Sequence, residues 1–374
     1  MNVDVAVLGL GAMGSAACSH LAARGLRVMG FERFDLGHEL GSSAGRTRII
    51  RKAYYEHPAY VPMLERSYEL WRDLERRSHV RLLDLFGVLC VGNEDSAVVR
   101  GVRASAKHYG LPVEELSTAD LRARYPMLRI LDGEAGTLER DAGIVYPERG
   151  VAAHVASARE HGAVLCDRAE VKAIERAADA VTVRFANGER VRCARLIVCA
   201  GPWSRALLSD LALPLRVERN MQFWFEPEPG RCTPHDLPAF LLDRQGWDVP
   251  VYGVPDIGMG VKFASHGSSD AADADRLQRS ASDDEIARAR HLLAQWIPRA
   301  AGPLVASKAC MYTVTPDHHF AIGYHPRDSR IVIACGFSGH GYKFAPVIGE
   351  IVADLAMDRH PSFDLDFLSL ERLL

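Results

Sequence analysis

Apolar and polar positions change period several times along the chain, and those changes predict the order of its elements. Val3-Asp-Val-Ala-Val-Leu8 is a short β-rich run, and Ser15 to Arg24 follows as a helix with a face of small residues. Gly25 to Phe31 predicts a turn and a second strand that ends on the acid Glu32. Tyr60 to Arg77 sets Met63, Leu64, Tyr68, Leu70, Trp71 and Leu74 at helical spacing with charges between them, so an amphipathic helix is expected. Val80 to Val91 switches to a strand-like pattern. Val98 to Tyr109 and Thr118 to Tyr125 return to helix around the turn Gly110-Leu-Pro112.

Further along, Gly150 to His161 reads as a helix, followed by strands at 163–166, 170–174 and 181–185. Asn187-Gly188 is a hairpin signal. Arg195 to Ala200 is a continuous apolar run, as a buried parallel strand requires. Residues 219–226 and 239–262 are strand-rich, and Ser282 to Ile297 is a helix with acids in its first turn. Ile331 to Ala334 and Phe344 to Met357 end the chain as strand and helix. The returns to a nucleotide-type sheet after intervening material predict an α/β fold with an α+β second domain. The expected division puts 1-82, 145-215 and 310-374 in a cofactor domain, with 83-144 and 216-309 as a substrate domain.

Composition narrows the function only slightly. A chain of 374 residues has room for two modest cores, and a net charge of −3 gives no overall case for nucleic acid or a membrane surface. No apolar run approaches a bilayer span, the N-terminus lacks a basic leader, and the final Glu371-Arg-Leu-Leu374 is not a peroxisomal signal. A cytoplasmic protein is expected. The eight cysteines show neither CxxC pairs nor metal spacing, so they read as reduced thiols with no metal site.

Four stretches carry candidate chemistry. Gly9, Gly11 and Gly14 form a GxGxxG loop between strand and helix, and Glu32 stands where it can accept from a ribose hydroxyl; this unit suits FAD and NAD equally. Arg46, Arg48, Arg51 and Lys52 follow a Gly-Ser loop that contains Ser42 and Thr47. If that segment is extended, Arg46 and Arg48 share a face; they suit either a solvated basic strand or the binding of phosphate, flavin carbonyl or carboxylate. Lys262 lies on an apolar strand, and a strand reaching His266 would put both on one face. Finally, Cys310 stands beside Tyr312, and Cys335-Gly-Phe-Ser-Gly339-His-Gly341-Tyr-Lys343 is a glycine-rich turn from strand into helix.

With Gly9–Glu32, Ser42–Arg51, Tyr252–His266, Cys310–Asp317 and Gly336–Lys343 together, the chain resembles the monomeric sarcosine oxidase and N-methyl-L-tryptophan oxidase family. The resemblance implies a glutathione-reductase-like, Rossmann-type FAD domain and a substrate domain built on a large mixed sheet. It implies that Gly9, Gly11, Gly14, Glu32 and Arg33 hold the ADP half, with Val171 on the adenine side through its backbone. Ser42, Thr47 and Arg48 would lie against the flavin, Gly339 and Gly341 would form the wall behind it, and Cys310 would carry it as a thioether. Arg51 and Lys343 would pair with a substrate carboxylate, Tyr252 and His266 would line the pocket, and Lys262 would act on oxygen.

The implied activity is oxidation of sarcosine or another N-methyl amino acid by a monomeric enzyme, with O2 reduced to hydrogen peroxide. L-pipecolate, L-proline and N-methyltryptophan are alternative substrates within the class. An NAD-dependent dehydrogenase and a non-catalytic flavin-binding protein are the alternatives outside it. One departure concerns the loop: the family's best-known members carry a histidine pair where this chain has Ser43-Ala44, and Ala44 cannot reach the flavin as the second histidine does.

Overall fold

A computed structural model describes residues 2–268 and 270–374. Its first sheet is parallel at the centre, where Asn2–Leu8 lies between Val28–Phe31 and Arg190–Val198. Val164–Cys166 extends one side, and Asp328–Cys335 pairs in parallel with the other. Strands from three separated stretches thus form one sheet, to which the chain returns twice. The Asn187-Gly188 turn, with Gly188 at φ +86, joins Val181–Phe185 to Arg190–Val198. The central strands are buried on both sides, which explains their unbroken Val, Ile and Leu runs.

Small residues set the spacing of the helices on that sheet. The first helix, Ala12–Ala23, buries Ala16 and Ala17 against the C-terminal helix Ala345–Ala356. A Cβ on Gly349 would come within 2.6 Å of the Ala16 methyl, so the two backbones approach more closely than larger side chains permit. The helix Pro147–Glu160 packs on the same first helix, where the Ser19 and Ser157 hydroxyls bond at 2.9 Å.

The second sheet runs, in spatial order, through Leu304–Val314, Arg216–Phe225, Val261–Ser265, Val251–Val254, Ala239–Asp243, Val88–Asn93, Glu134–Glu139 and Val113–Leu116. Its pairings are antiparallel except that of Ala239–Asp243 with Val88–Asn93. Phe223, Phe225, Phe240 and Phe263 face a core with Leu293 and Trp296 of the helix Asp283–Trp296. The opposite face carries Lys262, Ala264, Tyr252 and Cys310, directed by the period-2 alternation toward the candidate site. Arg48–Ile50, Gly143–Val145 and Leu83–Asp84 form a small third sheet. Two expected domain boundaries, 144/145 and 309/310, cut through strands Gly143–Val145 and Leu304–Val314. We propose that the second break falls after Val314 instead, because that strand pairs along its length with Arg216–Phe225.

Two local expectations change. The basic segment is extended only over Arg48–Ile50; Arg46 sits at φ +65, in a turn closed by the Thr47 amide on the Gly45 carbonyl at 2.7 Å. Arg46 and Arg48 therefore do not alternate on a common strand. The strand bearing Lys262 ends at Ser265, although the His266 amide prolongs the pairing by donating to the Pro250 carbonyl at 2.7 Å.

A buried ion pair ties the second sheet to its helix. Arg244 donates to Glu134 at 2.7 and 2.9 Å and to the Arg129 and Gln295 carbonyls, with Trp296 against the guanidinium. Removing one partner leaves the other charge buried, so Arg244→Ala should cost about 3–5 kcal/mol in urea unfolding of the flavin-loaded protein. A loss below about 1 kcal/mol, typical of exposed pairs, would show that the carboxylate is rehydrated at no cost.

Candidate cofactor and substrate site

A cavity of about 630 Å³ runs between the sheets from Glu32 to Cys310. Gly9 and Gly11 line its inner end, while Arg33, Val171, Ser42, Gly339 and Gly341 line its length. Gly9 is at φ +85, and a Cβ there would stand 2.5 Å from the Cys199 carbonyl oxygen; at Gly14 it would collide with the Gly9 carbonyl. Only glycine permits this turn and this close approach of helix to strand. The first helix presents its amide end to the cavity, and the Ala12 amide donates to the Ser43 hydroxyl at 3.0 Å. Ser43, singled out in the sequence only as the replacement of a family histidine, is thus part of the cradle floor.

Glu32 is buried at the far end of the cavity. Its carboxylate accepts from the Leu10 amide at 2.9 Å and the Phe34 amide at 3.2 Å, with His38 Nε2 at 3.2 Å. Burial raises the cost of its charge, but His38 and the two amides more than offset that and hold the pKa below the usual value. The Leu40 amide donates to His38 Nδ1 at 3.0 Å, so the neutral ring carries its proton on Nε2, toward Glu32. Arg33 reaches across to Asp275 at 2.6 Å, joining the rim to the loop that follows His266.

At the other end, Cys310 is 4% exposed and has the Arg48 guanidinium 3.5 Å from its sulfur. Arg48 also donates to the Thr47, Ser42 and Ala44 carbonyls, so a single side chain shapes the Ser42–Arg48 loop. Ala44 is buried and adds nothing polar. Lys262 is 1% exposed; its ammonium donates to the Thr47 carbonyl at 2.8 Å and the Gly45 carbonyl at 2.9 Å. Burial, reinforced by Arg48, still pushes its pKa well below the ordinary lysine value.

A second, smaller cavity of about 50 Å³ shares Arg48, Tyr312, Gly339 and Tyr342 with the first. Arg51, Glu56, Tyr252, His266 and Lys343 complete it. Arg48, Arg51, Tyr252, His266 and Lys343, expected from distant parts of the chain, therefore meet here, whereas Lys262 lines neither cavity. Arg51 pairs with Glu56 at 2.7 Å, donates to the Ala53 carbonyl at 2.7 Å, and lies against the Tyr54 and Tyr55 rings at 4.5 and 4.7 Å. Three of its N–H donors remain free of these bonds. Lys343 donates to the His340 carbonyl at 2.8 Å and the Tyr54 hydroxyl at 3.3 Å.

The charges in this pocket are coupled through burial. Burial opposes the Glu56 charge, yet Arg51, His340 and Lys343 hold its pKa at about 2. Lys343 is pushed down to about 7 by burial and by Arg51, with Glu56 pulling the other way. Burial drops His266 to about 4 and His340 to about 3, so both rings are neutral near pH 7. Glu56, Tyr54 and His340 escaped the sequence reading. The signal available was Arg51 followed within a turn by two tyrosines and an acid; nothing in that run says that the acid turns back to pair with Arg51.

The model for the family described as FAD dependent oxidoreductase matches residues 4–355. Monomeric sarcosine oxidase of Streptomyces avermitilis is 41% identical, covering 95% of this chain and 93% of that one. The chain belongs to the FAD-dependent oxidoreductases, in their sarcosine oxidase family. N-methyl-L-tryptophan oxidase of Salmonella heidelberg is 32% identical, with 100% and 99% covered. In fold, the open form of NikD, an unusual amino acid oxidase essential for nikkomycin biosynthesis, superposes at a TM-score of 0.86 with 24% identity, covering 98% of this chain and 97% of that one. The long cavity, its glycine cradle and the buried Glu32 fit FAD, and the match decides between FAD and NAD where the Gly9–Glu32 fingerprint could not.

The pKa of Lys343 sets a pH dependence for carboxylates. An anion bound at this ammonium needs the charged form, which in the free enzyme is lost as pH rises through about 7. Affinity for acetate, followed by flavin absorbance, should be level below that pH and weaken about tenfold per unit above it. Glu56 and His266, at about 2 and 4, do not titrate in this window. A level profile in Lys343→Met together with a falling one in the parent locates the effect; a level profile in the parent would remove Lys343 from carboxylate binding.

Proposed function

We propose that this enzyme oxidises small secondary amino acids, sarcosine or another N-methyl amino acid, with O2 as acceptor and hydrogen peroxide as product. The observation that carries the reading is the meeting of two buried cations, Arg51 and Lys343, in a small cavity that shares four residues with the cofactor cavity. The likeness to sarcosine oxidase over 95% of the chain supports it.

Bound FAD would supply the electron acceptor for oxidation of the substrate C–H bond. What remains for the protein is orientation and charge. Arg51 offers its unused N–H groups to the substrate carboxylate, and Lys343 adds a point charge, which together fix the amine relative to the shared wall. Tyr252 and Tyr312 make that region apolar, and neutral His266 does not compete for the amine's lone pair with a positive charge. Burial of the site favours the neutral, reactive amine. The small cavity favours a short side chain over an indole. Lys262, held at the Gly45 and Thr47 carbonyls, supplies the cation for oxygen reduction.

On this reading Cys310 tethers the flavin, because its sulfur lies in the wall of the long cavity beside Arg48. Glu32 takes the ribose hydroxyls, and Val171 with Arg33 covers the adenine end. We also take the enzyme to be a cytoplasmic monomer: its relative is named monomeric, the thiols are free, and no described helix is long and apolar enough to cross a membrane.

The test is anaerobic bleaching of the purified yellow protein with N-methyl and cyclic amino acids. Sarcosine or another small N-methyl amino acid should bleach fastest, and air should restore the colour with peroxide released. A flavin that no secondary amine bleaches would favour a non-catalytic flavoprotein. Acid precipitation should leave the parent pellet yellow and the Cys310→Ala pellet white; a yellow Cys310→Ala pellet would assign the tether to another residue.

A further inference from the structure

On the sheet face that bears Lys262, two buried amides lack partners: Asn220 through Nδ2 alone, and Gln222 through its whole head group. Gln222 is 1% exposed, and neither Oε1 nor Nε2 makes a hydrogen bond; among the described residues it is the one buried side chain with both head-group atoms orphaned. It stands directly across from Ala264 on one side and Lys308 on the other, and its strand neighbour Trp224 is paired with Lys262. A leucine would fill the same space without burying an amide. Buried amides are normally satisfied, so the head group has a partner in the working enzyme.

The surroundings say where that partner lies. Gln222 does not line the cofactor cavity, whose wall here is formed by Ser42, Ser43, Arg48 and Cys310. The Ser42–Arg48 loop stands between. Gly45, at φ +117, has its Cα turned to Gln222, and a side chain there would collide with Oε1 while coming within 2.8 Å of Arg48 Nη1. The carbonyl of that same Gly45 accepts from Lys262 at 2.9 Å. Gln222 and Lys262 therefore share the Gly45 peptide as a neighbour, under one loop and on one sheet face.

We propose that Gln222 is a positioning residue for Lys262: its amide holds a buried water that bonds the ammonium and keeps it aimed at the flavin side. The amide oxygen accepts from the water, and the water's oxygen accepts from Lys262, a role no apolar side chain at this position supplies. The inference rests on the oxidase reading of Lys262 given above. The other charged or titratable groups facing that ammonium are Arg46 and Arg48 of the loop, Glu148 of the helix Pro147–Glu160, Cys310 of the edge strand and Tyr252. None of these changes in a Gln222 variant.

Stopped-flow spectroscopy separates the two half-reactions, with Lys262→Met as the reference for loss of the cation. In Gln222→Leu, reoxidation of reduced flavin by O2 should slow by about fivefold, the factor that one ordinary hydrogen bond is worth. Reduction by substrate should stay within about twofold. Gln222→Glu places an anion beside the ammonium and should move the pH limb of reoxidation upward, whereas Gln222→Leu moves it downward. A purely structural role would not shift the two variants in opposite directions. Equal slowing of both half-reactions, or parental reoxidation in Gln222→Leu, would overturn the proposal.

Two further readings do not depend on turnover. A crystal structure of the flavin-loaded enzyme should show a water between Gln222 and Lys262 Nζ, lost in Gln222→Leu, and a dry Gln222 would refute it. The leucine variant should melt no lower than the parent, since it removes an amide rather than a packing contact; a lower Tm with both half-reactions slowed assigns Gln222 to packing alone. A parent that yields no peroxide in air refutes the oxidase reading itself, and is distinguishable from a parental oxidase insensitive to Gln222.

Discussion

A lysine ammonium on an apolar sheet face is tolerable only if something satisfies it, and here two main-chain carbonyls from the other end of the chain do so. Lys262 donates to Gly45 and Thr47 across separations of 217 and 215 residues. Those contacts hold the Ser42–Arg48 loop against the second sheet, and Arg48 ties the same loop together from within by donating to three of its carbonyls. The loop in turn forms the wall of the long cavity beside Cys310. Cofactor cradle, candidate tether and buried cation are therefore one mechanical unit. Its cost is visible in the low pKa of Lys262, since two neutral carbonyls lighten burial without cancelling it.

The smaller cavity solves a related problem with an ion pair. Arg51 and Lys343 are buried, and the partly buried Glu56 keeps the two cations from being uncompensated. On the proposed reading, an incoming carboxylate would add an anion to a site whose positive charge is only partly balanced. Arg51 remains charged by its nature, while Lys343 titrates near neutral pH, so the two cations differ in kind: one fixed, one adjustable. The neutral histidines on either side, His266 and His340, keep the field of the pocket local.

Much of this was legible from residues alone. The glycines of Gly9 to Gly14 and the acid at position 32 follow a turn geometry that side chains larger than hydrogen cannot enter, so their spacing announces itself. The alternation of Lys262 with Val261 and Phe263 put it on the sheet face opposite the phenylalanine core. By contrast, Arg46 looked equivalent to Arg48 in a run of cations, and a left-handed turn separated them: one lies over the Trp224 ring and the other against Cys310. Glu56 and Gln222 looked like ordinary polar residues because nothing local distinguishes a paired acid or a buried amide from a solvated one. The same holds for Ser43, whose hydroxyl meets the Ala12 amide only when the loop folds back over the first helix.

What the sequence by itself determined was local and periodic: the positive-φ turn at Gly9, the helix faces, the strand alternation and hence which side chains share a side. These follow from backbone sterics and from the periods 3.6 and 2, which need no knowledge of distant residues. The tertiary structure decided the rest. Which carbonyl meets Lys262, which acid meets Arg51 and which amide is left without a partner all depend on contacts across dozens to hundreds of residues. Charge, burial and pKa are properties of those meetings, because the free energy of an ion is set by what surrounds it and not by its neighbours in the chain.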